Sequence, residues 1–122
     1  MSSTINLSVV RGTVSAPPEV RALESGSRVA ALAVRTNGPD GKDTSVPVTV
    51  WEPAAWIETL DAGDGVLVVG RVRRRFFRTA TGVRGAKTEV EADLVARARD
   101  RRRLAAVARR IDAALAPLDD VE

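Results

Sequence analysis

The chain has 122 residues and a hydrophobic share of 44%, enough for one domain with a modest core. It contains neither cysteine nor histidine, which excludes thiol nucleophiles, disulfides, zinc sites of the Cys/His kind and histidine acid–base catalysis. The net charge of +3 conceals an asymmetry: residues 1–70 carry five basic and eight acidic groups, residues 71–110 fourteen basic and four acidic, and the last twelve residues four acids and no base.

Seventeen of the nineteen basic residues are arginine, and a block as dense as residues 71–110 points to a polyanion partner. The competing reading is a solvated arginine-rich surface. No basic start is followed by an apolar run, and no apolar stretch approaches the ~18–20 residues of a membrane span, so a soluble, cytoplasmic protein without membrane contact is expected.

Ile5 to Val14, INLSVVRGTV, alternates apolar and polar residues and then breaks at Gly12, which predicts a half-buried strand with a bulge or bend. Ser15 to Ser27 carries two prolines and a Ser-Gly pair and reads as turn. Arg28 to Thr36, RVAALAVRT, is a second strand, and NGPDGKD, Asn37 to Asp43, is the turn that follows. Val46 to Trp51 is a third strand, with Val46, Val48 and Val50 on one face and Pro47, Thr49 and Trp51 on the other. Pro47 places this strand at an edge or makes it start late. Glu52 to Gly65 opens with Pro53 and closes at Gly63, which predicts a helix of about two turns.

Val66 to Phe77, VLVVGRVRRRFF, is a fourth strand bent at Gly70. A Thr/Gly-rich hairpin loop leads to a fifth strand, Lys87 to Val95. There Thr88, Val90, Ala92 and Leu94 share one face, and Lys87, Glu89, Glu91 and Asp93 the other. A final segment places Leu104, Val107, Ile111 and Leu115 at helical spacing, and Pro117 ends it. Arg97, Arg99, Arg101, Arg102 and Arg103 lead into that helix, where positive charge opposes the helix dipole. The cluster reads either as extra phosphate contact or as a solvated run before a helix that docks on the barrel or on another subunit.

The fold class expected from this order is all-β: a five-stranded Greek-key barrel of the OB type, with a short helix between strands three and four and a C-terminal helix. Residues 4–96 form the domain and residues 97–122 an arginine-rich helical extension with a short acidic end.

Only four aromatic residues occur, Trp51, Trp56, Phe76 and Phe77, and two of them stand inside the most basic run. Alternation puts Arg71, Arg73, Arg75 and Phe77 on one side of the fourth strand, with Val66, Val68, Gly70 and Val72 on the core side. A row of guanidinium groups ending in a ring suits a single nucleic-acid strand, because arginine neutralises phosphate and a ring stacks on any base. Phe76, of opposite parity, is expected to cap the core, and Trp56 to be structural. Trp51 reads as a stacking ring or as packing on the next helix. The acids Glu89, Glu91 and Asp93 read as solvated surface rather than as a metal site.

The pieces VVRGTVSAPPEVR, SRVAALAVRT, VTVW before a helix, DGVLVVGRVRRRFF and TEVEADLV, in this order, resemble the bacterial single-stranded DNA-binding protein family over about Asn6 to Val95. The resemblance implies stacking aromatics at Trp51 and Phe77 and basic contacts at Arg73 and Arg75. It also implies basic residues along the strand path at Arg35 and Arg11. The candidate set extends to Arg71, Arg78, Arg84 and Lys87.

The implied function is sequence-independent single-stranded DNA binding in replication, recombination or repair, by a homo-oligomer, dimer or tetramer, without catalysis, cofactor or metal. An OB-fold protein-interaction adaptor and a single-stranded RNA-binding module are the alternatives. The chain departs from the family where it has Ser45 in place of an aromatic, and in the short, ring-free loop after the second strand. Fewer stacking platforms imply weaker or more salt-sensitive binding. The end, LDDVE, is acidic but lacks the family's Pro-Phe tip, which puts recruitment of replication or repair proteins in question.

Overall fold

A computed structural model describes residues 4–117. Six strands form one sheet: β1 Ser8–Val14, β2 Glu19–Ala22, β3 Arg28–Asn37, β4 Asp43–Trp51, β5 Gly65–Arg78 and β6 Arg84–Arg97. The helix α1, Arg101–Leu115, follows. Sheet order is β1-β5-β6-β4-β3-β2, and β1 also pairs with β3 through Thr13–Arg35 and Val14–Val34. Those two pairs turn β1, β5, β6, β4 and β3 into a ring. The five strands read from the sequence are the members of this ring.

β2 was not foreseen: Glu19–Ala22 reads as turn by composition, yet it pairs along β3 from Glu19–Ala31 to Ala22–Arg28. Its alternation is short, with Val20 packed against the core and Glu19 and Arg21 exposed. The two-turn helix is also corrected. Ala55–Thr59 is a single 3-10 turn that buries only Ile57, and Leu60 after it is buried in extended backbone. With Pro53 before and Gly63 after, too few residues remain to propagate an α-helix. β4 begins at Asp43 rather than Val46. Pro47 is tolerated inside it because pairing to β6 starts only at Val48.

The core is small and mostly valine. Val10, Val14, Leu32, Val34, Val48, Val50, Val66, Val68, Val90 and Val95 fill the ring, with Ile57 and Leu60 closing one end. Full burial of each such side chain contributes about 1.5–3 kcal/mol. Gly12 and Gly70 mark the two bends the sequence foretold. A Cβ at Gly12 would overlap the carbonyl of Arg35, where β1 leaves β5 for β3, and one at Gly70 would overlap the carbonyl of Glu91.

At Gly70 the ladder slips, from Val69–Leu94 to Gly70–Ala92, leaving Asp93 as the extra residue. The bulge corrects the face assignment of β6. Val90 and Ala92 face the core, while Leu94 lies on the outer side with Val69 and Ala96, beneath α1.

α1 docks on the barrel. Val107 is buried, and Leu104 and Ile111 pack with it on Leu7, Leu67, Val69, Leu94 and Ala96. Leu115, the last member of the stripe, is exposed. Asp100 caps the helix by accepting a hydrogen bond from the Arg103 backbone N–H at 3.0 Å, which offsets the cationic first turn. Arg97 and Arg103 sit over the Trp56 ring at 5.2 and 5.6 Å, and Arg97 also donates to the Thr59 hydroxyl. Two arginines of the cluster therefore serve the joint between helix and barrel, and Trp56 is structural. The acidic end, Leu118 to Glu122, lies outside the described residues. No helix among those residues is long and apolar enough to cross a membrane.

Candidate nucleic-acid interface

Beyond Gly70, β5 and β6 leave the barrel as a two-stranded ribbon. Every residue from Arg71 to Arg78 is exposed. Two core assignments fail here: Val72 is 47% exposed, and Phe76, expected to cap the core, is 75% exposed. The hydrophobic interior ends where α1 and the barrel end, so alternation continues past the point at which either face has anything to pack against. Asn6 anchors the base of the ribbon. Its side-chain amide donates to the Val72 carbonyl and accepts from the Val72 N–H, at 2.9 and 3.0 Å, as one more rung of β1 would.

The outer face of the ribbon continues onto β4. Arg71, Arg73 and Arg75 stand opposite Glu91, Glu89 and Lys87. Glu91 binds Arg71 at 2.7 Å and Arg73 at 2.6 Å, and its second oxygen accepts the Trp51 indole N–H at 3.2 Å. These donors hold the Glu91 carboxyl below its ordinary 4.5, with the Arg71 hydrogen bond the largest cause, and the same contact raises Arg71. Glu89, read as solvated, is buried. Its carboxylate accepts from the Thr49 hydroxyl at 2.7 Å and lies 3.7 Å from Arg75.

Trp51 and Phe77 are 44% and 48% exposed. Trp51 is held at its edge by the indole N–H bond to Glu91; the chain then turns away at Glu52, whose φ of 48° lies in the left-handed region. Phe77 covers Gly85 across the ribbon, where an added Cβ would strike its ring. Between β2 and the ribbon runs a groove of about 470 Å³. Ala31, Pro47 and Thr49 line its middle and Trp51 one end, with Glu19 and Arg21 on one side and Arg75, Lys87 and Glu89 on the other.

The structure thus brings together Trp51, Arg71, Arg73, Arg75 and Lys87, with Phe77 next along the same face. Arg78 and Arg84 oppose each other at the end of the ribbon. Arg11 and Arg35 stand apart. Arg35 pairs across the β1–β3 closure with Thr13, and Arg11, two residues before Thr13 and opposite Leu67, is its diagonal neighbour. Sequence reasoning missed the carboxylates that partner the arginines. The signal was available in the register: with a five-residue loop at Thr79–Val83, Glu91 falls opposite Arg71 and Glu89 opposite Arg73. Among the described residues no group of carboxylates gathers as a metal site.

Residues 5–98 match the Single-strand binding protein family. The single-stranded DNA-binding protein of Corynebacterium glutamicum is 36% identical over 102 residues, covering 74% of this chain and 45% of that protein. That of Mycolicibacterium smegmatis is 33% identical over 105 residues, covering 76% and 63%. Among solved structures, a deletion variant of the single-stranded DNA binding protein from Thermus aquaticus superposes with a TM-score of 0.63 at 26% identity, over 76% of this chain and 40% of that one. The chain therefore spans less than two thirds of the length of these relatives. With the family match running from the start of β1 through the end of β6, the chain belongs to the single-strand binding protein family.

Proposed function

We propose that the protein binds single-stranded DNA without sequence preference, in replication, recombination or repair. The observation that carries this reading is one uncovered sheet face bearing two exposed rings, Trp51 and Phe77, with Arg71, Arg73, Arg75 and Lys87 between them. Bases stack on the rings, each contributing about 1–3 kcal/mol, and the cations meet phosphates. Arg78 and Arg84 extend the cationic path, and Arg35 and Arg11 offer a separate pair of contacts beyond the barrel closure.

The ring β1-β5-β6-β4-β3 is read as a Greek-key OB barrel, residues 4–96 as the binding module and residues 97–122 as an extension that braces it. The protein acts by binding alone, without catalysis or cofactor, in the cytoplasm as a homo-oligomer. The relatives' name, single-stranded DNA-binding protein, supports DNA over RNA as the ligand.

Quenching of tryptophan emission by oligo(dT), with mass by light scattering, tests the reading. Binding that weakens as salt rises is expected. Absence of binding at low salt, or equal affinity for a duplex of the same length, rejects it.

A further inference from the structure

The ribbon has a second face, of which the reading above uses only Arg78 and Arg84 at the tip. Val72, Arg74, Phe76 and Arg78 of β5 lie opposite Val90, Thr88, Ala86 and Arg84 of β6. No acid occurs between Asp64 and Glu89, so this stretch of the face carries arginine and no carboxylate. On the outer face, Glu91 and Glu89 engage Arg71, Arg73 and Arg75. By contrast, no ion pair engages Arg74, Arg78 or Arg84 among the described residues. Phe76 is the most exposed large apolar side chain among the described residues, at 75%, and the Arg74 guanidinium lies over its ring at 5.3 Å.

Two costs are visible. An apolar ring stands in water, and Arg78 and Arg84 face each other directly across the strands, where like charges destabilise the pair. A polyanion with flat apolar faces relieves both at once; a neutral or cationic partner relieves only the first.

The two faces are also joined. β1 pairs with β5 only as far as Gly70, with Asn6 adding Val72, so the β5 edge beyond is uncovered. A cleft of about 390 Å³ over the ribbon's end is lined by Phe76, Phe77, Arg78, Arg84 and Gly85, and so touches both rings. We propose that Phe76, with Arg74, Arg78 and Arg84, is a second stacking and phosphate-binding surface for a single polynucleotide strand. One strand passes from Phe77 over the free β5 edge to Phe76. This rests on the single-strand reading above and extends its path.

The test uses labelled oligo(dT) of increasing length. A short oligomer fills the Trp51–Phe77 face alone; a longer one reaches round the ribbon. Phe76→Ala should weaken long oligomers by roughly fivefold or more while leaving the shortest bound oligomer unchanged. Phe77→Ala should weaken both. Arg74→Ala with Arg78→Ala should lower the salt slope for long oligomers by about 0.7 per arginine.

The exposure of Phe76 means its loss leaves the fold intact. Equal affinity of Phe76→Ala and wild type at every length overturns the proposal while sparing the single-strand reading. So does a lower mass in light scattering with unchanged DNA affinity, which assigns the face to a second copy of the chain. Failure of the wild type to bind oligo(dT) at all overturns both.

Discussion

The two halves of the β5–β6 pair share strands, hydrogen-bond ladder and residue alternation, yet they are different environments. In the proximal half, Val66 and Val68 point into the barrel while Leu67 and Val69 point under α1, and both faces are dry. In the distal half, Arg71 to Arg78 has water on both faces. The difference teaches that a strand's meaning is set by what lies above and below it. The same ladder is core where a second layer exists and a candidate binding surface where none does. With little apolar burial, the distal ribbon is held by its ladder, the bonds of Glu91 and Glu89, the Asn6 anchor at its base and the Phe77 ring over Gly85, and a two-stranded ribbon by itself is marginal in water.

The strongest way to break the comparison is to put charge into the dry half. Val68→Asp buries a carboxylate with no partner, and the loss should exceed the few kcal/mol that hold a small domain folded. No cooperative melting transition is expected by circular dichroism. A next test compares the halves directly by hydrogen exchange. Ladder amides from Arg73 to Phe77 should exchange faster than those from Val66 to Val69 by about two orders of magnitude or more, and equal protection would refute the division.

Truncating a wet ring should act on binding alone. Phe77→Ala is expected to lower oligo(dT) affinity by roughly fivefold or more without shifting the melting temperature. A fluorescence titration beside a thermal melt separates the two readouts.

The smallest expected effect concerns Glu91. Glu91→Gln frees two arginines from a carboxylate and should steepen the salt slope of oligo(dT) binding by about 0.7 for each added phosphate contact. The same substitution has a pH signature. Because the folded state holds the Glu91 carboxyl below its ordinary 4.5, its stabilisation is present above that pH. It is lost as the pH falls below 4.5 and through the folded value. The wild type's advantage over Glu91→Gln should therefore shrink on acidification below about pH 4.5, checked by melts across that range.

The alternation of Arg71, Arg73, Arg75 and Phe77, the valine face of β4 and the five ring strands were legible because a half-buried strand repeats every two residues whatever it packs on. β2 was hidden by composition, since prolines and a Ser-Gly pair flank four residues that need β3 beside them to be a strand. Phe76 and Val72 were misplaced because parity says which side a residue takes but not whether that side is covered. Leu94 was misplaced because one extra residue at Asp93 inverts every face after it.

By itself the sequence determined the ring strands, the bends at Gly12 and Gly70, and the gathering of charge and aromatic rings on β5. Those are local properties of spacing and backbone sterics. Only the tertiary structure decided that α1 lies over the proximal half and stops short of Arg71, and that Glu91 and Glu89 reach the arginines and Trp51. It also decided that Phe76 stands in water. Each depends on which residues far apart in the chain come within contact distance, and that is fixed by packing rather than by neighbours in sequence.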